Sequence, residues 1–176
     1  MLKLDTHVDL GTQVRNGLML AYACCEMPEK AMEIFREILK SEDGPTLRTI
    51  AIFYKACESH EDGVQEAVKM MKKSKVMELE VDRRMYTSYI VVFAAHCEFD
   101  IAVQALENMH AETGYEPTRN TIGLFYNTIP NEYWKDEVEK WAKERYPVLW
   151  TQLEGLNRTE YEDGPKFDNI SIEYLV

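Results

Sequence analysis

The chain has 176 residues, is 45% hydrophobic and 11% aromatic, and carries a formal net charge of −11. That apolar and aromatic content excludes a disordered chain, and the length fits one domain with a sizeable core. No apolar run approaches the ~18 residues of a membrane span, and acidic charge spread evenly would disfavour a nucleic-acid partner.

The first stretch, "MLKLDTHVDLGTQVRNG", carries acids and lacks the Arg-rich, Ser-rich character of a transit peptide. An organellar presequence is therefore either missing from this chain or replaced by another import route, and residues 1–11 read as a lead-in. The first predicted helix is "VRNGLMLAYACC" (14–25). A second follows over Pro28–Lys40, where Ala31, Ile34, Phe35 and Ile38 form one apolar stripe and Gly44-Pro45 makes a stop. "TIAIFYKACESH" then pairs with "GVQEAVKMMKKSKVM", and "MYTSYIVVFAAH" with "DIAVQALENMHAE". The breaks at 26–28, 61–63 and 98–100 are short, which predicts antiparallel helical hairpins. Cys24, Cys25, Cys57 and Cys97 show no CxxC or disulfide spacing and lie in these apolar segments, so they are expected to be reduced core thiols.

The hairpins repeat. Ala31, Ala67, Ala102 and Val138 stand 36, 35 and 36 residues apart, as do Phe35, Met71, Leu106 and Ala142. Hairpins recurring at this period predict an all-α fold, an α-solenoid in which each unit buries its face on the next. The units are 12–46, 47–82 and 83–118, followed by a degenerate unit at 119–150. All three tryptophans, Trp134, Trp141 and Trp150, fall in that last unit, as expected of a cap. Residues 151–176 read as an acidic, turn-rich tail, packed loosely or on a partner.

Period, helix pairing and unit ending together resemble the pentatricopeptide repeat family. The best unit, 12–46, has Asn16 at the family's early Asn, then Ala31, Phe35 and a penultimate Pro45; "DGPT" and "YEPT" match the family's unit ending. The resemblance implies a superhelix whose first helices line a concave face that binds single-stranded RNA, usually in mitochondria or plastids. In such proteins each repeat reads one base with two or three side chains. The positions implied here are Asn16 with Thr46, Ala51 with Asp82, and Thr87 with Thr118. Where the family places an apolar residue that sandwiches bases, this chain has Gln13, Arg48, Arg84 and Asn120.

The charge is segregated. The four first-helix segments, 12–25, 47–60, 83–96 and 119–131, hold six cations (Arg15, Arg48, Lys55, Arg83, Arg84 and Arg119) against one acid, Glu58. Segment 97–118 has five acids and no Lys or Arg. A polyanion responds to local potential, so Arg48, Arg84 and Arg119 are candidate phosphate contacts. The run "KMMKKSK" lies on a second helix, the outer surface of this architecture, and reads as a solvated face.

No phosphate-binding Gly loop, HExxH, GxSxG or zinc-ribbon spacing occurs, so no enzyme, cofactor, metal or small-molecule substrate is expected. Cys25, His60 and His96 fall at equivalent places in successive units, but stacked helices lie ~8–10 Å apart, too far to share a metal. They read as turn residues capping first helices. Two functions remain. One is a mitochondrial RNA-binding module, for instance a ribonucleoprotein subunit of the mitochondrial ribosome. The other is a scaffold or assembly factor for a large mitochondrial complex such as a respiratory one.

Overall fold

A computed structural model describes residues 11–171 of the chain; most of the expected lead-in and the last five residues of the tail lie outside the described residues. Nine helices and one short hairpin make up the described part. The helices are α1 (Thr12–Cys24), α2 (Pro28–Lys40), α3 (Leu47–Cys57), α4 (Gly63–Val76), α5 (Arg83–Ala95), α6 (Phe99–Thr113), α7 (Arg119–Thr128), α8 (Glu132–Arg145) and α9 (Pro147–Glu154). The strands β1 (Arg158–Tyr161) and β2 (Gly164–Phe167) pair antiparallel.

Helix starts are set by local chemistry. Thr46 and Thr49 form a capping box on α3: the Thr49 N–H donates to Thr46 Oγ1 at 3.2 Å, and the Thr46 N–H donates to Thr49 Oγ1 at 3.0 Å. Thr118 and Thr121 repeat the box on α7. Asp82 accepts from the Met85 N–H at 2.8 Å to cap α5, and Asn131 from the Trp134 N–H at 3.2 Å to cap α8. Pro28 opens α2, where its missing N–H costs nothing.

The first helices stack in one row: α1 packs on α3, α3 on α5 and α5 on α7. Each carries its own second helix, and α2 and α4 also pack on the first helix of the following unit. The repeat positions read from the sequence all face inward. Ala31, Ala67, Ala102 and Val138 are fully buried, and Phe35, Met71, Leu106 and Ala142 nearly so. The fold is thus an all-α array of stacked helical hairpins.

One contact between units requires a glycine. A Cβ at Gly63 would lie 1.9 Å from the Cys57 carbonyl oxygen and 2.6 Å from His96 Nε2. That carbonyl, left free at the C-terminal end of α3, accepts from His96 Nε2 at 2.8 Å. His96 therefore caps the first helix of the preceding unit, not its own. His60 Nδ1 accepts from the Asp62 N–H at 3.1 Å, within its own turn.

Two expectations fail. Only Cys57 is a core thiol; Cys24, Cys25 and Cys97 are exposed, because they sit at the ends of α1 and α5 where the chain turns out of the core. Residues 151–171 do not form a loose tail. The β-hairpin packs on α7 and α8 and brings Phe167 into the core against Tyr126 and Trp150, with ring centroids 5.2 and 5.5 Å away. Lys135 of α8 is enclosed beneath it and donates to the Pro165 carbonyl at 2.9 Å. Loss of solvent around the ammonium lowers its pKa from the ordinary lysine value. Arg158 lies 4.3 Å from the centre of the Phe167 ring and pairs with Glu139 at 3.2 Å.

Candidate binding face

The row α1–α3–α5–α7 is where the sequence placed its binding residues. The structure divides them into three groups by depth.

The early-helix positions are inside. Asn16 is 3% exposed, Ala51 fully buried and Thr87 4% exposed. They lie on the helices of the packed row, and Thr87 Oγ1 sits 3.2 Å from Thr121 Oγ1 across the α5–α7 contact. Asn16 Oδ1 is buried without a hydrogen-bond partner among the described residues. Asn16 and Ala51 offer almost no surface to a base edge, whereas Thr87, though nearly buried, lines the cleft between α5 and α7.

The unit-closing positions act as helix caps. Thr46, Asp82 and Thr118 each accept a backbone N–H at the start of the next first helix. This capping role has a sequence signal, since Thr or Asp directly precedes each of these apolar helices.

The arginines are outside. Arg48, Arg84 and Arg119 are exposed in the first turns of α3, α5 and α7. A cation there gains nothing from the helix dipole, whose N-terminal end is itself positive. Arg48 and Arg119 have no carboxylate partner among the described residues. Of the other first-helix cations, Lys55 pairs with Glu58 at 2.5 Å and Arg83 lies over the Tyr115 ring at 5.3 Å. The structure brings Arg84, Thr87 and Thr118 together with Asn120 in one open cleft between α5 and α7. Asn16, Thr46, Arg48 and Ala51 lie outside it.

What fold and face define is an all-α protein of stacked helical hairpins with an exposed arginine in the first turn of α3, α5 and α7. No helix among the described residues is long and apolar enough to cross a membrane.

No protein-family model matches the chain. It is 32% identical over 171 residues, 96% of its length, to the complex I intermediate-associated protein 84, mitochondrial, of Neurospora crassa. The chain spans 17% of that relative's length. The relative is a mitochondrial protein, in keeping with the location that the repeat resemblance implies.

Proposed function

We propose that this chain is a non-catalytic, pentatricopeptide-type helical scaffold that helps a large mitochondrial complex assemble, with an intermediate of respiratory complex I as its binding partner. The observation that carries this reading is the similarity, over almost the whole chain, to a complex I intermediate-associated protein. The burial of Asn16 and Ala51 supports it, because neither side chain is presented to a base. The stacked hairpins suit a scaffold physically, since a repeat array presents long surfaces without a dedicated pocket.

The test is co-migration. Tagged protein from mitochondria, run on a native gel, is expected to appear with subassemblies of complex I and not with the finished complex. Its removal is expected to deplete finished complex I. Recovery of the protein only at its monomer size, with complex I at normal levels, defeats the reading.

A second reading is favoured by one observation, the exposed row Arg48, Arg84 and Arg119: single-stranded RNA held through phosphates on this edge, as part of a ribonucleoprotein. Removing one arginine–phosphate pair should reduce the salt slope of binding by about 0.7. Arg48→Ala with Arg84→Ala should then weaken binding and flatten its salt dependence, while Lys69→Ala with Lys73→Ala does neither. Filter binding that detects no RNA at low salt removes this reading.

A further inference from the structure

In this acidic chain the outer surface holds a basic ridge. Helix α4 carries Lys69, Lys72, Lys73 and Lys75 against one acid, Glu66. A furrow runs along each side of it, and the two differ in how their charges are met.

The furrow between α4 and α6 contains Val68, Met71, Tyr86 and Tyr89, and is spanned by the ion pair of Lys75 with Glu112. The charge on one wall meets its opposite on the other. The furrow between α2 and α4 has a floor of Met32, Phe35, Phe53 and Met70, with Arg36 on one wall and Lys69, Lys73 and the acid Glu66 on the other. No ion pair crosses it among the described residues: Lys69 is held by Glu66 of its own helix at 2.7 Å, and Arg36 and Lys73 have no carboxylate partner. Two unpaired cations therefore flank an apolar floor on opposite sides. The floor suits apolar side chains of varied shape, because methionine adapts its packing. The walls call for carboxylates.

We propose that this furrow is a docking groove for an acidic amphipathic helix of a partner protein. Apolar residues of that helix lie on Met32, Phe35, Phe53 and Met70, and its flanking carboxylates meet Arg36 and Lys73. A nucleic acid or an anionic membrane would draw on every lysine of the ridge, Lys72 included, and would leave the Met/Phe floor unused. The inference deepens the scaffold reading and rests on it in taking the occupant to be a protein.

The probe is a fluorescein-labelled synthetic helix with leucines on one face and glutamates on the other, titrated with the full chain and followed by anisotropy. Arg36→Glu with Lys73→Glu is expected to weaken binding by about tenfold, since two favourable pairs become two repulsions. The same variant is expected to bind the probe in which lysines replace the glutamates, a gain that loss of folding cannot imitate. Lys72→Glu, on the other furrow, should change binding less than about twofold. The proposal is overturned if the unaltered chain does not bind the acidic probe. It is equally overturned if Lys72→Glu weakens binding as much as the double reversal. Phospholipid vesicles containing phosphatidylglycerol, or a single-stranded oligonucleotide, that bind through Arg36 and Lys73 where the peptide does not would also overturn it. If the peptide fails while the tagged chain still co-migrates with complex I subassemblies, the groove falls and the scaffold reading stands.

Discussion

Asn127 and Phe167 exchange two hydrogen bonds. The Asn127 amide donates to the Phe167 carbonyl at 2.8 Å, and the Phe167 N–H donates to Asn127 Oδ1 at 2.7 Å. One side chain at the end of α7 thus satisfies both backbone groups of a residue on β2 and ties the C-terminal hairpin to the stack. Leaving a buried polar group without its partner costs roughly 1–3 kcal/mol. Asn127→Ala should therefore lower the melting temperature and speed protease cleavage in the β1–β2 turn. An unchanged melting temperature and cleavage pattern would show that ring packing alone holds the hairpin.

The three tryptophans should not contribute equally to the cap. Trp150 is 1% exposed and meets Tyr126 edge-on at 5.5 Å, whereas Trp134 and Trp141 are only partly buried. Truncating a well-packed aromatic residue costs about 3–5 kcal/mol. Trp150→Ala should approach that figure in urea unfolding, Trp141→Ala should fall below it, and Lys72→Ala should barely register. The opposite order for the tryptophans would place the cap's core beneath Trp141.

Two glycine-to-alanine changes should act in opposite directions. At Gly63 the added carbon meets a backbone oxygen that cannot move aside, so unfolding free energy should drop by more than about 2 kcal/mol. At Gly17, in the middle of α1, nothing lies within 4 Å of the added carbon. Gly17→Ala should stabilise by about 0.5–1 kcal/mol through helix propensity. Paired thermal melts decide both, and a neutral Gly63→Ala would mean that His96 and α3 separate easily.

Stability should decline in alkali. Burial pushes the Cys57 thiol up from 9.0, helped by the nearby Glu66. Burial, with Glu112 close by, pushes the Tyr86 hydroxyl up from 10.0 to about 12. In each case the folded chain holds its proton longer than the unfolded chain does. Their contribution is complete below the unfolded values and declines as pH rises through the folded ones. The urea midpoint should hold steady up to about pH 9 and then fall. Tyr86→Phe should make the decline shallower between pH 10.0 and about 12, and an unaltered slope there would show that Tyr86 does not titrate on unfolding.

The sequence by itself determined the helices and their repetition. An apolar stripe at helical spacing must be buried somewhere, so Ala31, Ala67, Ala102 and Val138, returning every 35 or 36 residues, required equivalent hairpins packed in equivalent ways. Caps such as Thr46, Asp82 and Thr118 were equally local, since each is satisfied within three residues of itself. What periodicity leaves open is which neighbour covers a given face. The burial of Asn16, Ala51 and Thr87 comes from tertiary packing, which their early place on each first helix does not reveal. Cys24, Cys25 and Cys97 reach solvent because the chain turns outward where those helices end. The C-terminal hairpin was hidden for a related reason. Arg158–Tyr161 is exposed throughout and shows no alternation, and Phe167 is anchored by Asn127, forty positions earlier in the chain. The basic run on α4 was plain as composition, but its furrow exists only because α2 lies alongside. Local propensity determines what a segment can bury. Contacts between residues far apart in the chain decide what it actually meets.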